Sequence, residues 1–470
     1  MTTTAGTTAG PTARTGAPPL PTAPGALPVL GHALPLARDP LGFLSRLPAR
    51  GDLVRVRIGP RTLVVVCEPE LTRQVLLNDR VFDKGGPLSE RGREVLGNAL
   101  LTCSHAEHRR QRRQCQPSFQ PPRMSAYAVS FTEAARTAVD DWHDGRELDV
   151  VPTMMALTVH TAVTTMFTTD TPAHAPLANG SLTDDIATVV EGVLRRALTP
   201  AFLRHVPSPE RHRYDRAQVR LRALLGGLVA ARRTVADPPD DLLHALLSAG
   251  GPDGPDGTPR LTDAEAVDQL LTFLVAGVET TASALAWAWH LLARHPEVER
   301  RVHRELDDVL DGRLPAPADV ASLPTTANVL TETLRLYPPL WMMTREVTQD
   351  TVLGTFALPR GTVLGVSPYV IHRRPDVYPE PDRFDPDRWR DRRPDRAAYL
   401  PFGSGARKCI GDRFGVVQAT LVLATIAARW RLVPSDGRPP RFSALSTLTP
   451  RGLRMQITDR ATRPTPGRPG

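Results

Sequence analysis

From about Ala106 to Leu310, apolar positions recur every three to four residues, the spacing of one face of an α-helix. The strongest stretch opens at Leu261-Thr262-Asp263-Ala264-Glu265, where Thr262 can cap and acids fill the first turn. It runs unbroken to about Arg294 and stops before His295-Pro296. Its apolar residues lie on several sides, so the pattern predicts a helix that crosses the core. Shorter helices are predicted from Glu70 to Asn78 and from Pro324 to just before Pro338-Pro339. Two β-rich runs, Leu53 to Ile58 and Thr62 to Cys67, flank Gly59-Pro60 and predict a hairpin. β-Branched residues return from Thr348 to Val366, with Gly354 and Gly361, and predict a small sheet. Gly85 to Ser104 is glycine-rich and polar and is predicted to be irregular; so long a loop is usually functional. Asp376 to Leu400, dense in Pro, Asp and Arg, reads as ordered coil. The expected fold is mainly α with small β-sheets.

At 470 residues the length alone suggests about three domains. No linker separates them, so one large domain is expected over residues 26–460. The Thr/Ala/Pro-rich residues 1–25 are expected to be a disordered leader and residues 461–470 a disordered tail. The leader lacks the apolar core of a signal peptide. No apolar run reaches the about 20 residues of a membrane span. The cysteines, Cys67, Cys103, Cys115 and Cys409, are few and scattered, which favours reduced thiols in a cytoplasm. Net charge is +8, almost all of it from arginine; Lys84 and Lys408 are the only lysines. Such a bias fits a G+C-rich genome. The arginines are dispersed and no zinc-finger or RNA-binding signature accompanies them, which argues against nucleic acid.

Phe402 to Gly411, FGSGARKCIG, fits F-x-x-G-x-R-x-C-x-G at every fixed position, a specific signal. Gly403, Gly405 and Gly411 would allow tight turns around a buried sulfur. On the long helix, Ala276-Gly277-Val278-Glu279-Thr280-Thr281 places a small pair beside an acid and an alcohol. Glycine there costs about 1 kcal/mol relative to alanine, so something is expected to approach the backbone closely. Read alone, it could be a packing glycine beside a surface glutamate. Glu332 and Arg335 form E-x-x-R, a common pattern in so arginine-rich a chain, picked out by the Leu336-Tyr337-Pro338-Pro339 that follows. His108 and Arg112 share one helical face.

Together and in this order, these segments resemble the cytochrome P-450 family. The resemblance spans about residues 26–460 and looks most like the eukaryote-like actinobacterial branch, with terpene oxidases of the pentalenene oxygenase type within it. It implies haem b (iron-protoporphyrin IX) with Cys409 as axial thiolate, which favours O–O cleavage. Phe402 would pack beside the sulfur. Ala276 and Gly277 would border the oxygen site. His108, Arg112, Arg345 and Arg407 would bind propionates, a role suited to fixed-charge arginine. Glu279 and Thr280 would pass protons to bound oxygen. Glu332, Arg335 and Arg388 would form a buried structural ion network. Phe273, Leu340, Trp341, Met342, Met343 and Leu448 are substrate-pocket candidates by analogy, with ordinary core packing as the competing explanation.

The implied reaction inserts one oxygen atom from O2 into a hydrophobic small molecule in secondary metabolism. Electrons would come from NADPH through a ferredoxin reductase and a ferredoxin, which could dock on Arg109, Arg110 and Arg113. A monomer is expected. A peroxygenase or isomerase on the same fold usually departs from the acid–alcohol pair, and a haem sensor needs no such pair.

Overall fold

The computed structural model describes residues 18–167, 182, 184–189, 192 and 208–460, apart from 252–256, 258, 392–394, 396, 439 and 445. Residues 1–17 and 461–470, most of the expected leader and all of the expected tail, lie outside them. The folded chain begins before residue 26. Ala23 donates to Arg55 O at 2.9 Å and Arg55 donates to Pro21 O at 2.7 Å, which ties the end of the expected leader to the first strand.

Leu53–Ile58 and Arg61–Val66 pair antiparallel, as the alternation predicts. Arg61–Val66 then runs parallel to Val363–Val366, which pairs antiparallel with Met343–Val347; Phe82–Asp83 forms the far edge. This last pairing sets the residue after Asp83, Lys84, next to the strand that carries Arg345. Strand Met343–Val347 buries alternate residues, so Arg345 shares its buried face with Met343 and Val347. A three-stranded sheet joins Glu147–Asp149, Arg454–Asp459 and Trp430–Pro434. Arg441–Ala444 and Leu448–Arg451 make a separate hairpin.

Helices supply most of the core. The predicted long helix is Asp263–Arg294, 32 residues, opened by a full capping box between Thr262 and Glu265. It packs most extensively on Val150–Met166, and apart from its ends it is buried nearly all round except at Val275, Ala276, Gly277, Glu279 and Thr280. Among the described residues it is the one helix long and apolar enough to cross a membrane, but 72% of its apolar window is buried in protein. Its apolarity is therefore that of a core helix. The predicted irregular stretch Gly85 to Ser104 is corrected: Gly86–Leu96 is a helix. Its glycines and charges hid the signal, while Val95 and Leu96 bury its last turn.

Helix Pro324–Leu336 carries the E-x-x-R pair, and both side chains are 0% exposed. Arg335 Nε and Nη2 donate to the two oxygens of Glu332, each at 2.8 Å. The rest of the guanidinium donates to the carbonyls of His372, Pro381 and Arg383 at 2.9, 2.6 and 3.0 Å. Glu332 also accepts from Trp389 Nε1 at 2.9 Å, and Arg388 Nε stands 3.5 Å away. His372 extends the network: Leu400 N–H donates to its Nε2 at 2.7 Å, so its Nδ1–H donates to Arg335 O at 3.0 Å. Burial holds His372 neutral, pushing its pKa down to about 3. Removing one member of a buried pair costs about 3–5 kcal/mol. Arg335→Leu should therefore lower the urea unfolding midpoint by the equivalent of about 3–5 kcal/mol. A midpoint matching the parent would show that the pair does not hold the fold.

Candidate active site

The FGSGARKCIG loop enters helix Asp412–Arg429. Cys409 N–H donates to Phe402 O at 2.9 Å, Gly403 N–H to Leu400 O at 3.0 Å and Lys408 N–H to Gly405 O at 3.1 Å. Gly403 and Gly405 sit at φ +68° and +70°, and a Cβ at Gly405 would collide with the Leu76 carbonyl. Gly411 differs from the expectation. Its φ is −96° and a Cβ would meet Phe119 only at 3.7 Å, so no turn requires glycine there. Its backbone N–H instead serves the Cys409 sulfur.

Cys409 lies in a cavity of ≈ 1990 Å3 shared with Phe402, Arg345, Arg407, Ala276, Gly277, Glu279 and Thr280. Ligand pockets commonly measure about 300–1,000 Å3, so this one has room for a large group and a second molecule beside it. Cys409 is exposed by area, but the surface it shows is cavity wall. Burial pushes its thiol up; the Gly411 N–H and the charges of Arg112 and Lys408 favour the thiolate. Cys67 and Cys115, also unpaired, are pushed by burial up to about 12 and lie outside the cavity lining.

One end of the cavity is cationic. Arg407 Nη2 donates to Asp83 at 2.7 Å, Nε to Asp79 at 3.3 Å and Nη1 to Cys103 O at 2.9 Å. Arg345 is 2% exposed, and burial, with Arg407 nearby, lowers its pKa to about 10. Its Nη1 donates to Thr344 O at 2.8 Å, while its Nε is buried with no hydrogen-bond partner. Lys84 joins them; burial first, then the Arg345 and Arg407 charges, lowers it to about 7. It is half-buried by area, and the surface it shows lines the cavity. His108, 4% exposed, is pushed down to about 4 by burial and by Arg407 and Arg112. His108 and Arg112 do not line the cavity. Arg112 Nη1 donates to the carbonyls of Ala406 and Lys408 at 3.3 and 2.5 Å, clamping the cysteine loop.

On the long helix, Ala276 and Gly277 are open to the cavity, and a Cβ at Gly277 meets nothing within 4 Å. Thr280 Oγ1 donates to Ala276 O at 2.8 Å. Glu279 accepts from Ser446 Oγ and Thr447 Oγ1, each at 2.8 Å. Phe273, Leu340, Trp341, Met342 and Met343 line the cavity, as the analogy suggested. Leu448 does not: its side chain is fully buried, and its carbonyl accepts from Ser283 Oγ and Trp287 Nε1 at 2.7 and 2.8 Å. Its neighbours Ser446 and Thr447 reach the cavity in its place. Leu445 lies outside the described residues.

A family model described as Cytochrome P450 matches residues 19–456. The chain belongs to the cytochrome P450 family. Cyclooctat-9-en-7-ol 5-monooxygenase of Streptomyces melanosporofaciens is 45% identical over 427 residues, 88% of this chain and 90% of the relative. Pentalenene oxygenase of Streptomyces avermitilis is 42% identical over 450 residues, 95% of this chain and 98% of the relative. A crystal structure of a cytochrome P450DA heme domain matches with a TM-score of 0.83 at 26% identity, covering 94% of this chain and 98% of that one. The chain is a monooxygenase with haem as its cofactor, and such P450 enzymes need O2 and a redox partner.

The residues present fit haem. Among the described residues neither Lys84 nor Arg345 forms an ion pair, and Arg345 Nε is an orphaned donor, a costly state that anionic propionates would relieve. Cys409 would be the iron ligand, with Lys84, Arg345 and Arg407 at the propionates. Bound haem supplies O2 activation, and thiolate ligation favours O–O cleavage. The chain's own groups do the rest. The glycine turns and the Cys409 N–H bond to Phe402 O fix the sulfur, and the bare wall at Ala276 and Gly277 leaves space in the same cavity. Thr280 keeps its hydroxyl on the helix backbone, where a molecule in the cavity can compete for it. Sequence reading missed Lys84, although a lysine in a chain that uses arginine almost everywhere was a signal.

Cys409→Ser should abolish the thiolate-type Soret shift on CO binding, while Cys103→Ala and Cys115→Ala keep it. A shift that survives Cys409→Ser would move the ligand elsewhere.

Lys84 gives the haem-free protein a pH dependence. From its folded pKa of about 7 up to the ordinary 10.5, the unfolded chain holds a proton that the folded chain has lost. The Lys84 contribution to stability should therefore rise with pH across that window and be constant below it. Melting temperatures from pH 6 to 10 should show the rise, and Lys84→Met should flatten it. A parent that melts at one temperature throughout would rule out the buried, unpaired ammonium.

Proposed function

We propose that this monooxygenase hydroxylates a cyclic terpene, taken from the cytoplasm by a monomer that draws electrons from a separate ferredoxin and NADPH-linked reductase. The observation that carries the substrate class is the apolar lining. Phe119, Ala162, Met166, Leu242, Phe273 and Val275 line the cavity. The lining that the long helix contributes holds one ionisable side chain, Glu279. A hydrocarbon frame loses its hydration on entering such a wall, and the long helix offers an acid no cation, the lining arginines Arg38, Arg61, Arg441 and Arg451 lying on other segments. Met342 and Met343 add adaptable, polarisable contacts for a bulky ring system. The relatives named for cyclooctat-9-en-7-ol and pentalenene support the same reading. Glu279 and Thr280, both at the cavity wall, support O2-dependent chemistry over peroxide use or isomerisation.

The donor surface needs one revision. Arg110 is tied to Glu265 at 2.7 Å across to the long helix, so it is part of the fold. Arg109 and Arg113 stay exposed on the same short helix. Exposed charges are screened over about 8–10 Å at physiological salt, so an acidic ferredoxin should reduce the enzyme more slowly as salt rises.

The test combines binding and turnover. Cyclic terpene hydrocarbons and mono-alcohols should displace the resting haem spectrum, where fatty acids do not. One of them should give an oxygenated product with O2, NADPH, ferredoxin and reductase. A fatty acid that binds and turns over while no terpene does would overturn the substrate class. Equal product from hydrogen peroxide alone would overturn the electron route.

A further inference from the structure

The hairpin Arg441–Ala444/Leu448–Arg451 meets the long helix at Glu279 through a line of hydroxyls. Thr447 Oγ1 lies 2.8 Å from Glu279 Oε1 and 2.7 Å from Thr449 Oγ1. Donor arithmetic orders them. Thr447 has one hydroxyl hydrogen and donates it to the carboxylate, so Thr449 must donate to Thr447. Three oxygens thus form a directed chain, Thr449 to Thr447 to Glu279. Thr447 is 5% exposed, and the little surface it shows lines the cavity. Thr449 is half-buried, and across the hairpin it faces Ser443, whose hydroxyl accepts from the exposed Arg451 at 3.1 Å. Glu279 lines the cavity. Ser443 and Arg451 line the cavity as well, whereas Thr449 does not, so the outer end of the chain is a half-buried hairpin position off the cavity wall and the inner end, Glu279, is on it.

We propose that Thr449 and Thr447 are the proton supply line of Glu279, and that Ser446 positions the carboxyl to receive from it. This rests on the monooxygenase reading, in which protons are consumed inside the cavity. The balance is simple. When Glu279 gives up a proton towards the cavity, its carboxylate takes one from Thr447, Thr447 takes one from Thr449, and Thr449 takes one from solvent water. Each hydroxyl gains one proton and loses one, and no electrons move along the line. Two weak hydroxyl donors on one oxygen suit a carboxyl that must change protonation state each turnover. A guanidinium there would hold it ionised.

Thr449 separates supply from mere support, because it does not touch Glu279. Thr449→Val and Thr447→Val keep the side-chain volume and remove the hydroxyl. Both should divert NADPH electrons from product to peroxide several-fold and raise the solvent deuterium isotope effect on product formation. In Thr449→Val, which lies outside the cavity lining, the CO spectrum and substrate affinity should stay at the parent values. Thr447→Ser should restore coupling. Infrared spectra of the resting enzyme, without substrate or electrons, give an independent readout. The carboxyl band that Glu279→Gln removes should shift in Thr447→Val and return in Thr447→Ser. Thr449→Val with parental coupling and isotope effect would overturn the relay, and an unmoved band in Thr447→Val would overturn the contact itself. Loss of turnover in the parent enzyme would instead count against the monooxygenase reading.

Discussion

The buried guanidinium of Arg335 is the fixed point from which the proximal half of the molecule is hung. It has five donors and no route to water, and it spends them on Glu332 and on the carbonyls of His372, Pro381 and Arg383. Those carbonyls belong to a segment with little regular structure between the small sheet and the cysteine loop. A coil of that length needs partners for its backbone, and a planar, permanently charged group can satisfy several at once. His372 then passes the constraint on, bonding Arg335 O on one side and the Leu400 N–H on the other. Leu400 in turn accepts from Gly403, the first glycine of the cysteine loop. The sulfur's position is thus set by hydrogen bonds that begin inside a helix more than 70 residues earlier in the chain.

At the cationic end the fold stores a deficit. Asp79 and Asp83 are both committed to Arg407, which leaves Lys84 and Arg345 buried without a carboxylate. Such an arrangement is unfavourable by itself, because each unpaired buried charge costs several kcal/mol. It becomes favourable when a dianionic group fills the cavity. The same charges would then give affinity and orientation to the cofactor, which would couple binding to stability.

The fold class and the cysteine loop were legible in the sequence for a shared reason: both depend on local constraints. Periodicity and the Thr262–Glu265 capping box fixed the long helix, and positive φ at Gly403 and Gly405 leaves few alternatives to glycine. What was not legible depends on contacts between distant segments. Leu448 looked like an apolar pocket residue, but it opens a strand with its side chain in the core, and Ser446 and Thr447, in the bend just before that strand, reach the cavity. Arg110 looked like one more surface arginine until Glu265 came within 2.7 Å. Gly86–Leu96 looked irregular because a helix that opens on one glycine and carries another, Gly92, inside it forms only where tertiary packing supports it.

The two carboxylates that matter most are held in opposite ways, and the contrast follows from their tasks. Glu332 is tied to a guanidinium by two bonds of 2.8 Å and is wholly buried. Trp389 Nε1 adds a third bond at 2.9 Å, so its oxygens are committed to fixed donors. Glu279 has hydroxyl partners in Ser446 and Thr447 and a place at the cavity wall. A hydroxyl can donate to a carboxylate or accept from a carboxylic acid, and each such bond is worth only about 0.5–1.5 kcal/mol net. Either protonation state then keeps its partners, with the hydroxyl hydrogens reversing direction between them. The chain thus places a permanent charge where it needs a strut and reversible donors at the carboxyl that the proposed relay would serve.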